Sequence, residues 1–149
     1  MDIKETSRII DNVKLELFNS KGELIDVREI HNTVTTAGKN GAADQILASP
    51  SLVKPGWMEV GTGTPSATLL GAYIAGSRTA MNAPKTRSNN IVSMVTVFAA
   101  GVGTGAITEA GTFDVVTENT VNMWTSSSFS VINKGALDSL TITWTLTFA

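Results

Sequence analysis

The segment Leu140-Thr141-Ile142-Thr143-Trp144-Thr145-Leu146-Thr147-Phe148 alternates five large apolar residues with four threonines. A strict period of two puts every apolar side chain on one side of an extended strand, whereas a helix would scatter them around its circumference. The opposite face is threonine, which suits a pleated surface without adding charge. The segment has neither charge nor proline, the usual devices that keep an exposed strand edge from pairing with other chains. It is therefore expected inside a sheet or beneath a partner.

Other segments carry the same signal. Val13, Leu15 and Leu17 alternate with Lys14 and Glu16, Asn19-Ser20-Lys21-Gly22 supplies turn residues, and Glu23 to Ile30 returns as a second strand. His31-Asn32 is expected to end that strand, with Asn32 bonding local backbone. One helix is predicted from an N-cap near Thr36, through Ala42, Ala43, Ile46 and Leu47, to Ser49-Pro50; Gly38 and Gly41 weaken it. Strands follow at 57–60, 77–82, 90–100, 107–115 and 121–132, the third of these with Ile91, Ser93, Val95 and Val97 on one face. Leu69 to Ile74 is ambiguous. Many short strands separated by turn signals predict a mainly β fold, an antiparallel β-sandwich or jelly-roll-like domain with an N-terminal hairpin and one short helix. Residues 1–12 form an N-terminal arm and 13–149 a single β-sandwich domain.

Composition narrows what such a domain does. Only 16% of the 149 residues are charged, against about 25% in ordinary globular domains. Residues 1–31 hold half of these charges, while 119–149 hold only Lys134 and Asp138. With 42% hydrophobic residues and a net charge of −2, the chain has neither the composition of a disordered segment nor the basic footprint of a nucleic-acid binder. The absence of cysteine removes disulfides, thiolate zinc sites and thiol catalysis. The first eight residues alternate charges where a signal peptide would be apolar, and no run approaches the roughly 18 apolar residues of a membrane helix. No membrane partner is expected, and assembly is expected in a cytoplasm.

No set of residues assembles into catalytic chemistry. Gly61-Thr62-Gly63-Thr64-Pro65 and Gly101-Val102-Gly103-Thr104-Gly105 match neither a Walker loop nor a dinucleotide loop, and read as turns. His31 is the only histidine, and no nucleophile elbow accompanies it. Glu109 and Asp114 are five apart, on opposite faces of a strand, which is a poor arrangement for paired acid–base work. Asp114, Glu118 and Asn119 could offer oxygen ligands to calcium, but the EF-hand pattern is missing. Trp57 and Trp124 could stack on sugar rings, although core packing is the better account of them, and Trp144 lies on the apolar face of its strand. No enzyme activity, cofactor or metal is expected.

A further pattern lies in the order of several short motifs. His31-Asn32 after a hairpin is followed by an alanine-rich helix and by Gly61-Thr62-Gly63 after Trp57-Met58-Glu59-Val60. Leu69, Arg78, Ile107-Thr108-Glu109-Ala110-Gly111-Thr112-Phe113 and Asn133-Lys134-Gly135 before Leu140-Thr141-Ile142-Thr143-Trp144 complete the series. From Val13 to Phe148 this order resembles a family of tailed-bacteriophage virion structural proteins, described as head-decoration or tail-fibre-like small β proteins. The resemblance implies a non-enzymatic capsid decoration (cement) protein that forms a trimer, binds the major capsid protein of its own virion and stabilises the shell. A tail-tip, collar or tail-fibre-associated role is the alternative, and a carbohydrate-binding module for host attachment a third. Ile3, Lys4, Arg8, Ile9 and Ile10 of the arm, with Trp57 and Trp124, are the expected interaction residues.

Overall fold

Strand β1 (Ile9–Phe18) and strand β2 (Leu24–Val34) form the N-terminal hairpin, in a computed structural model that describes residues 8–149. Their turn is made by Asn19, whose side-chain oxygen accepts from the backbone N–H of Lys21 (2.9 Å) and Glu23 (3.0 Å). Gly22, at φ +78°, takes the left-handed conformation that completes it.

Helix α1 (Thr36–Asp44) follows β2 directly. The remaining strands are β3 (Trp57–Gly61), β4 (Thr79–Ala80), β5 (Thr86–Ser88), β6 (Ile91–Phe98), β7 (Gly105–Phe113), β8 (Met123–Lys134) and β9 (Ser139–Phe148). They build two antiparallel sheets. The first has the order β2-β1-β9-β6-β5 and the second β4-β3-β7-β8. Only two residue pairs join them, Thr33 with Ser126 and Val34 with Thr125, at the far end of β2. The sheets share one core, with Val13, Leu15, Ile142 and Trp144 from the first meeting Met58, Val60, Ile107 and Ile132 from the second. The chain is a mainly β sandwich with an N-terminal hairpin and one short helix.

The threonine-alternating strand, β9, lies inside its sheet. It pairs with β1 along its whole length on one side and with β6 on the other. Leu140, Ile142, Trp144 and Leu146 are buried, and the threonines line the outer face.

Several expectations are corrected. β1 begins at Ile9, and Arg8 exchanges two backbone hydrogen bonds with Ala149 (2.8 and 2.9 Å), so residues 9–12 belong to the sheet rather than to an arm. The period of two does run through Ile9, Asp11 and Val13, but Asp11 is an inward carboxylate that hides it. β2 continues past His31-Asn32 to Val34. The core face of β6 is Val92, Met94, Thr96 and Phe98, and Ile91, Ser93, Val95 and Val97 face outward; both registers carry valine, so periodicity alone did not decide. Of 77–82 only Thr79–Ala80 is strand.

The helix N-cap is Thr35 rather than Thr36. Its hydroxyl accepts from the Gly38 N–H at 3.0 Å and lies 2.7 Å from the Met123 carbonyl on β8. The helix stops at Asp44, leaving Ile46 87% exposed. Gly38 and Gly41 are what seat it: a Cβ at Gly38 would overlap the Trp124 carbonyl, and one at Gly41 the indole ring. These glycines weaken the isolated helix but permit its contact with β8.

Candidate functional site

The ionisable groups that looked most like chemistry are collected on one surface, the outer face of the second sheet. Met58 and Val60 face the shared core, so alternation along β3 turns Trp57, Glu59 and Gly61 to the other side. There they are covered by the 62–78 segment, and a second apolar cluster of Leu70, Phe113 and Met123, with Trp57 against it, lies beneath.

Glu109 on β7 is fully buried and accepts three backbone N–H groups from that segment. These are Gly63 (3.0 Å) and Ala72 (2.7 Å) to Oε1, and Gly71 (2.8 Å) to Oε2. Thr108 adds a hydroxyl bond to the Gly63 carbonyl at 2.7 Å. Gly61 is required here because a Cβ would overlap the carboxylate. Within the Gly61–Pro65 loop the Gly63 amide is thus turned to a protein carboxylate, and the Thr62 amide donates to the Ala72 carbonyl at 2.8 Å. Two separate motifs of the sequence, Gly61-Thr62-Gly63 and Thr108-Glu109, are one structural joint.

Beside it lies a buried ion pair. Arg78 Nη2 donates to Glu59 Oε2 at 3.0 Å, with both side chains 2% exposed. The same guanidinium donates to the Val115 carbonyl (2.8 Å) and stacks 3.6 Å from the centre of the Phe113 ring. Burial pushes the Glu59 carboxyl up, and the hydrogen bond and charge of Arg78 oppose it. Glu118 accepts from the backbone N–H of Arg78 at 3.2 Å. Burial also raises the Asp114 carboxyl, opposed by a hydrogen bond from Asn122. Among the described residues no group of three or more His, Asp or Glu is placed to hold a metal.

Two more buried groups fix turns and strands. Lys134 Nζ donates to the Ala99 carbonyl (3.0 Å) and the Asp138 carbonyl (2.7 Å), tying the β6–β7 turn to the β8–β9 turn; burial lowers its pKa. Asp11, 2% exposed between the sheets, accepts from the Trp144 indole N–H. Desolvation raises its carboxyl to about 7, with the indole bond opposing the shift. Among the described residues its second oxygen has no partner, and neither has the side-chain nitrogen of Asn32, its register partner on β2. Neither Glu109 nor Asp11 stood out in the sequence as structural; the only signal was a carboxylate at an inward or doubly covered strand position.

The expected interaction residues do not form one patch. Trp124 is 7% exposed under α1, and Trp57 packs on the second cluster. Arg8 and Ile9 line an open cavity of about 660 Å³ with Lys39 and Phe148, while Ile10 is on the other face of β1. Ile3 and Lys4 lie outside the described residues. His31 is exposed on the outer face of β2.

The chain matches no family model, no curated protein and no solved structure, so the likeness to phage virion proteins rests on its short motifs alone.

Proposed function

We propose that this chain is a non-enzymatic structural protein of a tailed-phage virion, a capsid decoration protein that acts as a homo-oligomer, taken as a trimer, on the major capsid protein. The observation that carries the reading is a division of labour among polar groups. Five of the most deeply buried charged groups are structural: Glu59, Arg78, Glu109 and Lys134 are bonded to backbone or to each other in ways that hold loops, and Asp11 accepts from the Trp144 indole. None is presented in a cleft beside a nucleophile, as acid–base or covalent catalysis requires.

The outside is the complement of this. On β9 it shows a row of threonines and on β6 Ile91, Ser93, Val95 and Val97, so this half of the first sheet has no charge to desolvate in a contact, whereas Lys14, Glu16 and Glu29 lie on the outer faces of β1 and β2. Such a surface suits one tile among many. The glycan reading draws no support from Trp57 or Trp124, whose rings are engaged in packing.

Co-sedimentation with purified phage heads tests the proposal. Saturable binding to heads, with a rise in the temperature at which the shells open, is expected; a protein that stays in the supernatant, or pellets only with tails, overturns the head role. Removing residues 2–7 from the same chain tests the arm as a shell contact without cutting into β1, and undiminished binding would sink that part.

A further inference from the structure

Two groups of exposed apolar side chains lie at opposite ends of the first sheet. Leu24, Ile25 and Val27, each about half exposed, sit at the tip of the β1–β2 hairpin and along its returning strand. Ile46, Leu47, Leu52 and Val53 lie on the segment between α1 and β3. In the β1–β9 register Leu17 faces Leu140 at the hairpin end and Asp11 faces Leu146 at the other. Six residues of strand separate these pairs, which is roughly 20 Å.

At the second end a groove of about 250 Å³ opens between α1 and the sheet. Its walls include Val92, Met94, Trp124, Leu146 and Phe148, and its only charged lining residues are Lys54 and Lys85. Among the described residues neither lysine forms an ion pair. The hairpin tip has the opposite character. Glu23 and Asp26 flank Leu24-Ile25; among the described residues the Glu23 carboxylate accepts only from the Asn19 amide, at 2.7 Å, and Asp26 pairs with Arg28 at 3.0 Å. Lys21 on the turn and Arg28, already paired with Asp26, are the opposing charges there.

We propose that the hairpin tip of one copy, Glu23-Leu24-Ile25-Asp26, seats in the Lys54/Lys85 groove of the next. Leu24 and Ile25 meet the groove's apolar walls, and Glu23 lies between the two ammonium groups. The two patches differ and lie at opposite ends, so the contact is head-to-tail, and the finite oligomer proposed above requires its rotation to close into a ring rather than run on as a filament. This inference rests on the homo-oligomer reading above and supplies its interface.

Light scattering on the full chain tests it, with circular dichroism confirming that each variant is folded. The wild-type protein is expected at a whole multiple, three for a trimer, of 15.7 kDa. Glu23→Lys alone, and Lys54→Glu with Lys85→Glu, place like charges together and are each expected to weaken association by more than about tenfold. The chain carrying all three substitutions restores opposite charges and recovers the ring. Wild-type oligomers indifferent to both half-variants overturn the contact while leaving the homo-oligomer reading in place. Folded half-variants that dissociate but are not rescued by the triple variant also overturn it. A wild-type monomer at the highest soluble concentration overturns both the contact and the homo-oligomer reading, leaving shell binding to be judged by sedimentation.

Discussion

The two sheets of this sandwich solve the same problem by different means. The first sheet has one face in the core and one in solvent; on β1, β9 and β6 its inner face is apolar except for Asp11 and Thr96, while its edge strand β2 turns Asp26, Arg28 and Asn32 to the same side as Leu17, Leu15 and Asp11. The second has both faces covered, one by the core and one by the 62–78 segment, and its outer side is held by Glu109 and by the Glu59–Arg78 pair. Apolar burial is non-directional and tolerates small shifts. A carboxylate holding three amides does not, because each orphaned N–H carries its own desolvation cost. The first sheet is therefore a regular platform, and the second fixes the shape of a long irregular segment.

The largest predicted effect breaks the second sheet. Arg78→Ala leaves Glu59 buried and unpaired, which costs about 3–5 kcal/mol in denaturant unfolding. Replacing the pair together, Glu59→Leu with Arg78→Met, is expected to recover much of that loss; a double variant as unstable as Arg78→Ala would show that the pair acts through more than its charges. Gly41→Ala comes next. Its methyl overlaps the Trp124 ring, so about 1–3 kcal/mol is lost and the Trp124 emission shifts as α1 lifts.

Asp11 probes the first sheet by pH. Its folded value, about 7, lies above the ordinary 3.8, so the folded state favours the neutral carboxyl. The stability it confers is complete below about pH 4 and is lost as pH rises towards 7 and beyond. Asp11→Asn keeps an acceptor for the Trp144 indole and removes the titration. The variant should match wild type at pH 4 and exceed it at pH 8, by a few kcal/mol at most; equal pH slopes in the two proteins would contradict the assignment. The smallest effect belongs to the outer threonines, where Thr143→Val should change stability by no more than about 0.5 kcal/mol.

This contrast also explains what could be read from the chain. β1 from Val13 onward and β9 were legible because one buried face leaves a clean alternation, clearest in β9 with its threonine face, whereas β2, whose inward positions are Asp26, Arg28, Ile30 and Asn32, was legible from the turn before it. β3 and β7 are buried on both sides, so Glu59, Gly61, Glu109 and Gly111 stand where alternation predicts surface. Glu109 looked like an isolated acid because its partners are backbone amides some 40 positions away, which have no side-chain signature. Gly38 and Gly41 were read as helix weakness because propensity says nothing about the indole that lies across them. The interaction residues proposed from the N-terminal segment scattered for a related reason: Ile9 and Ile10 are successive strand positions and face opposite ways.

The proposed place of this protein, as a tile on the outer surface of a phage head, can be seen or refuted in averaged electron images of intact particles. Density for the two-sheet body, in ring-shaped clusters, is expected on the outer face of the shell. Particles whose heads carry no such density, with the chain found only on the tail or not at all, would contradict it.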